Sequence, residues 1–292
     1  MTTRRRRTAG RARPSLLATA LAVALVASAP LAVGVPSGAV ARHHGTLRVL
    51  SAGSLSNVMT LLGAAFTKDT GYALENTPLG SSAIANGVKS KTLQGDVFIS
   101  ASTSADLALE GAAQGNWING YTDVGSSPVV LAYYPRSRFA ARLTTRPWYD
   151  VITSPGFELG RTDPAVDPGG VLDLDALYGI GYGYDLPALL AIAHDQRTVY
   201  TEEAIPGLLQ AGQLDAAFMY AVSAHAAHLP YVTLSGTRNL AAGYTVAALN
   251  GAPDPAAAKA FVSWLTSPRG ASIMVAQGLV PAKGTHFIRA TK

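Results

Sequence analysis

Cysteine is absent from this 292-residue chain. That excludes disulfides, thiolate nucleophiles, cysteine-held metals and a lipid-modified cysteine. No Gly-x-Ser-x-Gly elbow, glycine-rich dinucleotide fingerprint or phosphate-loop motif occurs, so three common routes to hydrolysis, hydride transfer and nucleotide binding lack their signatures. There is no repeat period, and charge is scarce at 14% of residues against 48% hydrophobic. Such a composition is globular and rich enough to build one large or two medium α/β domains. Acids are missing altogether from residues 1–41, which hold six of the 23 Lys and Arg. The 17 that remain face 18 acids, so the net charge of +5 belongs to the first segment and says nothing about nucleic acid.

That segment reads as an export signal. Arg4 to Arg7, Arg11 and Arg13 form a positive start, and no charged residue follows until Arg42. Leu16 to Val35 is apolar, and Ala39-Val40-Ala41 fits a small-x-small cleavage site, predicting a cut after Ala41. The alternative is an uncleaved N-terminal anchor, because the apolar run approaches spanning length. Either way the protein is expected outside the cytoplasmic membrane, soluble after cleavage or held by that helix.

The stretch Leu47–Phe66 organises the rest of the chain. Leu47, Val49 and Leu50 suit a buried strand, Ser51-Ala52-Gly53-Ser54 a tight loop, and Val58, Leu61, Leu62, Ala65 and Phe66 one helix face. A Gly-Ser loop between a strand and a helix offers unpaired N–H groups and hydroxyls to an anion without needing a cation. The same pattern is also an ordinary βα turn. Gly80-Ser81-Ser82 repeats the device after a strand at 72–76, and a third strand covers 95–100. Further along, the pattern predicts a helix over 105–113, a loop over 121–127 and an apolar strand, Val129–Tyr134, crossing into a second lobe. A short helix at 148–153, a strand at 156–160, a helix from near Val171 and another from Thr201 to Gln210 come after it. Gly243–Leu249 is the returning strand. The order gives two α/β lobes with a cleft between them: residues 46–128, then 129–242, with 243–292 returning to the first.

Chemistry in this chain sits at loops where strands end: Ser54, Ser81, the Asp167–Gly170 turn and Thr201-Glu202. His225-x-x-His228 is either a metal-holding pair lacking a third ligand or a plain helix surface. Tyr133-Tyr134 is either a tyrosinate pair for ferric iron or two strand aromatics on opposite faces.

Five segments in order carry a resemblance. Ala52-Gly53-Ser54-Leu55-Ser56, Gly80-Ser81-Ser82, Gly95–Ala101, Asp163-Pro164-Ala165-Val166-Asp167-Pro168-Gly169-Gly170, and Gln210–Asp215 with Phe218-Met219-Tyr220 resemble extracytoplasmic binding proteins for molybdate and tungstate, tungstate-type branch. The resemblance implies a two-lobed type II periplasmic-binding-protein fold, each lobe a mixed sheet flanked by helices, with the ligand cleft between lobes. It implies a monomeric receptor rather than an enzyme, without cofactor, working with an ABC permease and its ATPase. By match, Ser54, Ser81, Gly169 and Tyr220 contact the oxyanion, and Asp167 and Glu202 are ligands, with the register at Glu202-Glu203 open. A carboxylate facing an oxo group is repelled, so two acids there make sense only if they bind the metal centre itself and raise it to six-coordinate. In the simpler reading Asp167 caps the helix near Val171 and Glu202 sits in a first helical turn. Sulfate, phosphate and ferric iron remain competing ligands, and an exported two-lobed hydrolase the competing class.

Overall fold

The computed structural model describes residues 44–284 and 287–289. The export signal, its cleavage site and Arg42-His43 lie outside the described residues. Strand β1 (His44–Ala52) runs through a 3-10 turn, Gly53–Leu55, into α1 (Ser56–Thr70). Next come β2 (Tyr72–Leu79), α2 (Ser81–Lys89), β3 (Val97–Ser100) and the short α3 (Thr103–Leu107). The 14-residue β4 (Gly120–Tyr133) leads to α4 (Ala140–Leu143), α5 (Trp148–Ile152) and β5 (Leu159–Thr162). Then come α6 (Pro168–Gly183), α7 (Pro187–His194), β6 (Val199–Tyr200), α8 (Ile205–Gln210), β7 (Ala216–Tyr220), α9 (Ala221–Ala226) and β8 (Tyr231–Thr233). The chain returns on β9 (Ala241–Ala248) and ends in α10 (Pro255–Leu265), α11 (Pro268–Ala276), β10 (Val280–Pro281) and β11 (Phe287–Arg289).

The strand order is β2-β1-β3-β9-β4-β7-β5-β6. Its first half is parallel from β2 to β3, with β9 antiparallel between β3 and β4. In the second half β7 is antiparallel to β4 and parallel to β5. The strand β4 belongs to both halves. Thr122–Pro128 pairs with β9, and Val129–Tyr133 with β7 and β8.

Alternation along the strands sorts the cores. Leu47 and Val49 of β1 and Leu131 of β4 join Phe66, Trp148, Phe218 and Phe261 in the main cluster. Leu50 points the other way, to Ile84, Phe98, Leu109 and Tyr121. Val130 and Ala132 face Ile205, Leu209 and Leu214. Both faces of both halves are therefore covered, as a parallel-rich sheet requires.

Four local expectations change. Residues 121–127, expected as loop for their Gly and Ser content, form the first half of β4, because β9 pairs on one side and β10 and β11 on the other. A register shift between Asp123 and Gly125 absorbs the glycine, whose φ is 149°. The helix expected over 105–113 is only α3, because the chain turns to bridge Glu110 with Ile118. Helix α6 starts at Pro168 rather than near Val171, and α8 at Ile205 rather than Thr201, each with Pro in its first turn. Thr201–Ala204 is a turn, so Glu202 does not sit in a first helical turn. Among the described residues no helix is long and apolar enough to cross a membrane.

Candidate functional site

The Asp167-Pro168 step fixes its own geometry. A residue before proline is pushed to extended backbone, which is also the N-cap conformation. Asp167 sits at φ −131°, ψ 126°, and its Oδ1 accepts the Gly169 N–H at 2.6 Å. The simple capping role is therefore present, and it leaves Oδ2 free to face outward from the helix. A Cβ built at Gly80 would stand 3.1 Å from that Oδ2 and would strike the Val166 carbonyl. The Ala83 N–H also reaches the Val166 carbonyl at 3.1 Å. The second Gly-Ser loop is thus docked on the Asp167 turn, and glycine permits the approach.

The first Gly-Ser loop docks on the other acid. A Cβ at Gly53 would lie 3.1 Å from Glu202 Oε2 and 3.1 Å from Glu203 Oε2. The Ser54 backbone N–H donates to the Glu202 carboxyl, and Glu202 and Asp167 are hydrogen-bonded to each other. Of the two adjacent acids Glu202 meets Asp167, while Glu203 is half-buried with Oε2 unpartnered. Burial is the main cause that pushes Asp167 up to about 6, and burial then the Asp167 charge push Glu202 well above its usual range. Two carboxyls in a mutual hydrogen bond need a proton between them, so the pair carries one shared proton.

Neutral donors surround this pair. Tyr244 of β9 donates to Ser54 Oγ at 2.9 Å, leaving the serine proton free for another acceptor. Ser81 Oγ accepts the Ala101 N–H at 3.0 Å, with the same consequence. Tyr220, at the end of β7, is buried with its ring edge-on to Tyr244 at 6.0 Å, and its hydroxyl has no partner. A Cβ at Gly169 would stand 2.9 Å from Asp167 Oδ1, 3.1 Å from Thr162 Oγ1 and 3.5 Å from the Tyr220 hydroxyl. Ser54, Gly169, Tyr220, Asp167 and Glu202 are brought together in this way; Ser81 enters through its neighbour Gly80.

Two participants were not read from the sequence. Tyr244 positions Ser54 from 190 residues away. Asp173, one turn and a half into α6, is buried and takes the Thr162 N–H at 3.1 Å. Burial raises Asp173 to about 8. Asp173, Thr162, Gly169, Glu202 and Tyr220, with Val129, Phe218 and Met219, line a cavity of about 10 Å³. Arg161 lies behind Asp173, with its guanidinium turned to Thr198, to the carbonyls of Ala193 and Asp195, and to its own neighbour Thr162. No cation is thus among the residues that line the cavity. The other sequence candidates lie elsewhere: His225 and His228 are exposed, and among the described residues no three His, Asp or Glu side chains converge as a metal site. Tyr134 packs on Gly212 and under Arg136.

The chemistry is specific. A small space is bounded by the hydroxyl-bearing Thr162 and Tyr220, by Gly169 and by the two acids Asp173 and Glu202, with Asp167 in contact with Glu202 beside it. Such a space favours a compact group that accepts hydrogen bonds and also takes oxygen ligands. At about 10 Å³ it holds no more than one water-sized sphere, so any larger group enters only when its walls move apart.

Comparisons with known proteins agree with this architecture. Residues 47–280 match the family model described as bacterial extracellular solute-binding protein. A Haloferax volcanii protein named as an ABC transporter molybdenum-binding protein is 31% identical over 229 residues, 78% of this chain and 68% of its own. The molybdate/tungstate-binding protein WtpA of Pyrococcus abyssi is 27% identical over 153 residues, 43% of this chain and 44% of its own. Among solved structures, the periplasmic molybdate-binding protein of Azotobacter vinelandii superposes with a TM-score of 0.65 at 19% identity, covering 81% of this chain and 100% of that one. The sulfate-binding protein SubI of Mycobacterium tuberculosis gives 0.57 at 16% identity, covering 82% and 88%. At such identities these superpositions establish the fold, and the family match extends it to kinship: the chain belongs to the bacterial extracellular solute-binding proteins, on the type II periplasmic-binding-protein fold.

Proposed function

We propose that this protein captures molybdate or tungstate outside the cytoplasmic membrane and delivers it, as a monomer, to the permease and ATPase of an ABC importer. The observation that carries the reading is the Asp167–Glu202 contact, ringed by Ser54, Tyr220 and Gly169. A pair of acids repels sulfate and phosphate, whose central atoms add no further ligands in water. Molybdenum and tungsten accept them: one carboxylate oxygen from each acid, displacing the shared proton, raises the metal to six oxygen ligands. The hydroxyls of Ser54, Ser81 and Tyr220 then donate to oxo groups. The names of the Haloferax and Pyrococcus relatives point the same way. In this reading residues 1–41 are removed as a signal, and 46–128 with 243–292 form one lobe and 129–242 the other.

Calorimetry of the mature protein against tungstate, molybdate, sulfate and phosphate tests it. Tight binding of the first two and none of the others is expected; equal binding of sulfate would refute the metal-ligand role. X-ray absorption on the tungstate complex should show six oxygens, and a shell of four short bonds only would exclude the carboxylates as ligands.

A further inference from the structure

Thr162 is the last residue of β5, just before the loop that ends at the Asp167 cap. It is buried and lines the cavity together with Gly169, Glu202 and Tyr220. A Cβ built on Gly169 would stand 3.1 Å from Thr162 Oγ1 and 3.5 Å from the Tyr220 hydroxyl, so both hydroxyls face the bare side of that glycine. Both bonds from Thr162 to Asp173 fall on the same oxygen. The Thr162 N–H donates to Asp173 Oδ2 at 3.1 Å, while the hydroxyl reaches it at 3.5 Å, the outer limit of a hydrogen bond. The backbone is thus fixed and the hydroxyl is held loosely. Gly170 lets the first turn of α6 close on this residue, because a Cβ there would meet the Thr162 carbonyl oxygen at 2.6 Å.

A buried hydroxyl with so long a bond is poorly satisfied, and it gains a better acceptor when a charged oxygen occupies the space beside it. Resting on the reading of this protein as a molybdate or tungstate receptor, we propose that Thr162 Oγ1 is a further hydrogen-bond donor to the oxyanion, beside Tyr220, and that Asp173 is the residue that positions it. Only the hydroxyl proton has to turn for this, since a threonine O–H rotates to suit its acceptor. Asp173 keeps the Thr162 N–H throughout, so the strand end stays in place. Burial pushes Asp173 up to about 8, so at neutral pH the acid that holds Thr162 is largely neutral and does not repel an anion. Ser54 and Ser81 belong to one proposed lobe, Thr162 and Tyr220 to the other. Each side then brings two hydroxyls to the ligand, and the oxo groups are shared evenly across the closed cleft.

The test is calorimetry of the whole mature protein with tungstate and molybdate, read beside the thermal midpoint of the ligand-free form. Thr162→Val removes the hydroxyl but keeps the branched shape and the N–H. It should weaken tungstate binding about tenfold to a hundredfold, with the midpoint unchanged or raised. Thr162→Ser restores the donor and should bring affinity back to within about threefold of the wild type. Asp173→Leu should weaken binding in the wild-type background and add little in the Thr162→Val background, because it acts through that hydroxyl. If Asp173→Leu fails to fold, Asp173→Ala carries the same comparison, and equal losses in both backgrounds overturn the positioning role. A wild type that binds tungstate while Thr162→Val binds as tightly, or while Thr162→Ser is as weak as Thr162→Val, overturns the donor and leaves the receptor reading standing. A wild type that binds neither oxyanion overturns both.

Discussion

A buried hydroxyl without a partner costs about 1–3 kcal/mol, and Tyr220 carries one at the centre of the site. Its value must lie in the bound state. Tyr220→Phe is expected to leave thermal stability unchanged or raised while weakening tungstate binding about tenfold to a hundredfold by calorimetry. Ser54→Ala should cost a similar factor, and a variant pair that binds normally would move the site elsewhere. Acids behave differently. Burial holds Asp173 and Asp106 at about 8 in the folded chain, against about 3.9 when unfolded. Between those values the folded protein keeps protons that the unfolded chain has lost. Their stabilising effect is therefore complete below about pH 4 and is lost as pH rises through about 8. The unfolding midpoint of the ligand-free protein should fall from about pH 5 to about pH 8, with Asp173→Asn flattening part of the fall; a midpoint that climbs over this interval contradicts the assignment. At this scale the sequence was readable where a residue works with its own loop. Ser54, Ser81 and Asp167 each announce themselves through neighbours one or two positions away. Tyr244 and Asp173 do not, because only the tertiary fold brings a tyrosine to Ser54 or turns an acid of an apolar helix toward Thr162.

The element that joins chemistry to architecture is α6. Pro168 sets its start, Asp167 caps it, and the same carboxyl meets Glu202. Capping and binding can be separated by substitution. Asparagine caps as well as aspartate, so Asp167→Asn should keep the melting temperature within a few degrees while losing most tungstate affinity. Asp167→Ala should lose affinity and also about 1 kcal/mol of stability, read from denaturant midpoints. An Asn variant that binds as tightly as the wild type would make the acid a cap and nothing more. The apolar helix face at Val58, Leu62 and Phe66 was legible in the sequence, and α1 buries all three. The first half of β4 was not. Glycine and serine there signal a turn locally, and only partners on both sides, β9 and β11 or β10, make the segment a strand.

For the molecule as a whole, the size of the cavity decides what binding requires. A space of about 10 Å³ cannot admit an oxyanion as it stands. In the proposed receptor the ligand therefore meets a more open form and then favours the closed one. Small-angle scattering is expected to show the radius of gyration decreasing when tungstate is added to the ligand-free protein, and an unchanged profile at saturation would argue against closure. The element order gave this architecture away early, since βα units, a crossing strand, more βα units and a return strand leave few other arrangements.

Strand β4 passes without interruption from one set of partners to the other at Pro128-Val129. Proline contributes no N–H to the ladder, so the joint is thinnest where the partners change. A continuous strand resists stretching and sliding but yields to torsion. In the proposed receptor an opening that runs through this joint is then a twist, and contacts to the oxyanion from the two sides break together rather than in succession. Ligand escape is expected as a single kinetic event, and its rate constant would measure how often that strand untwists.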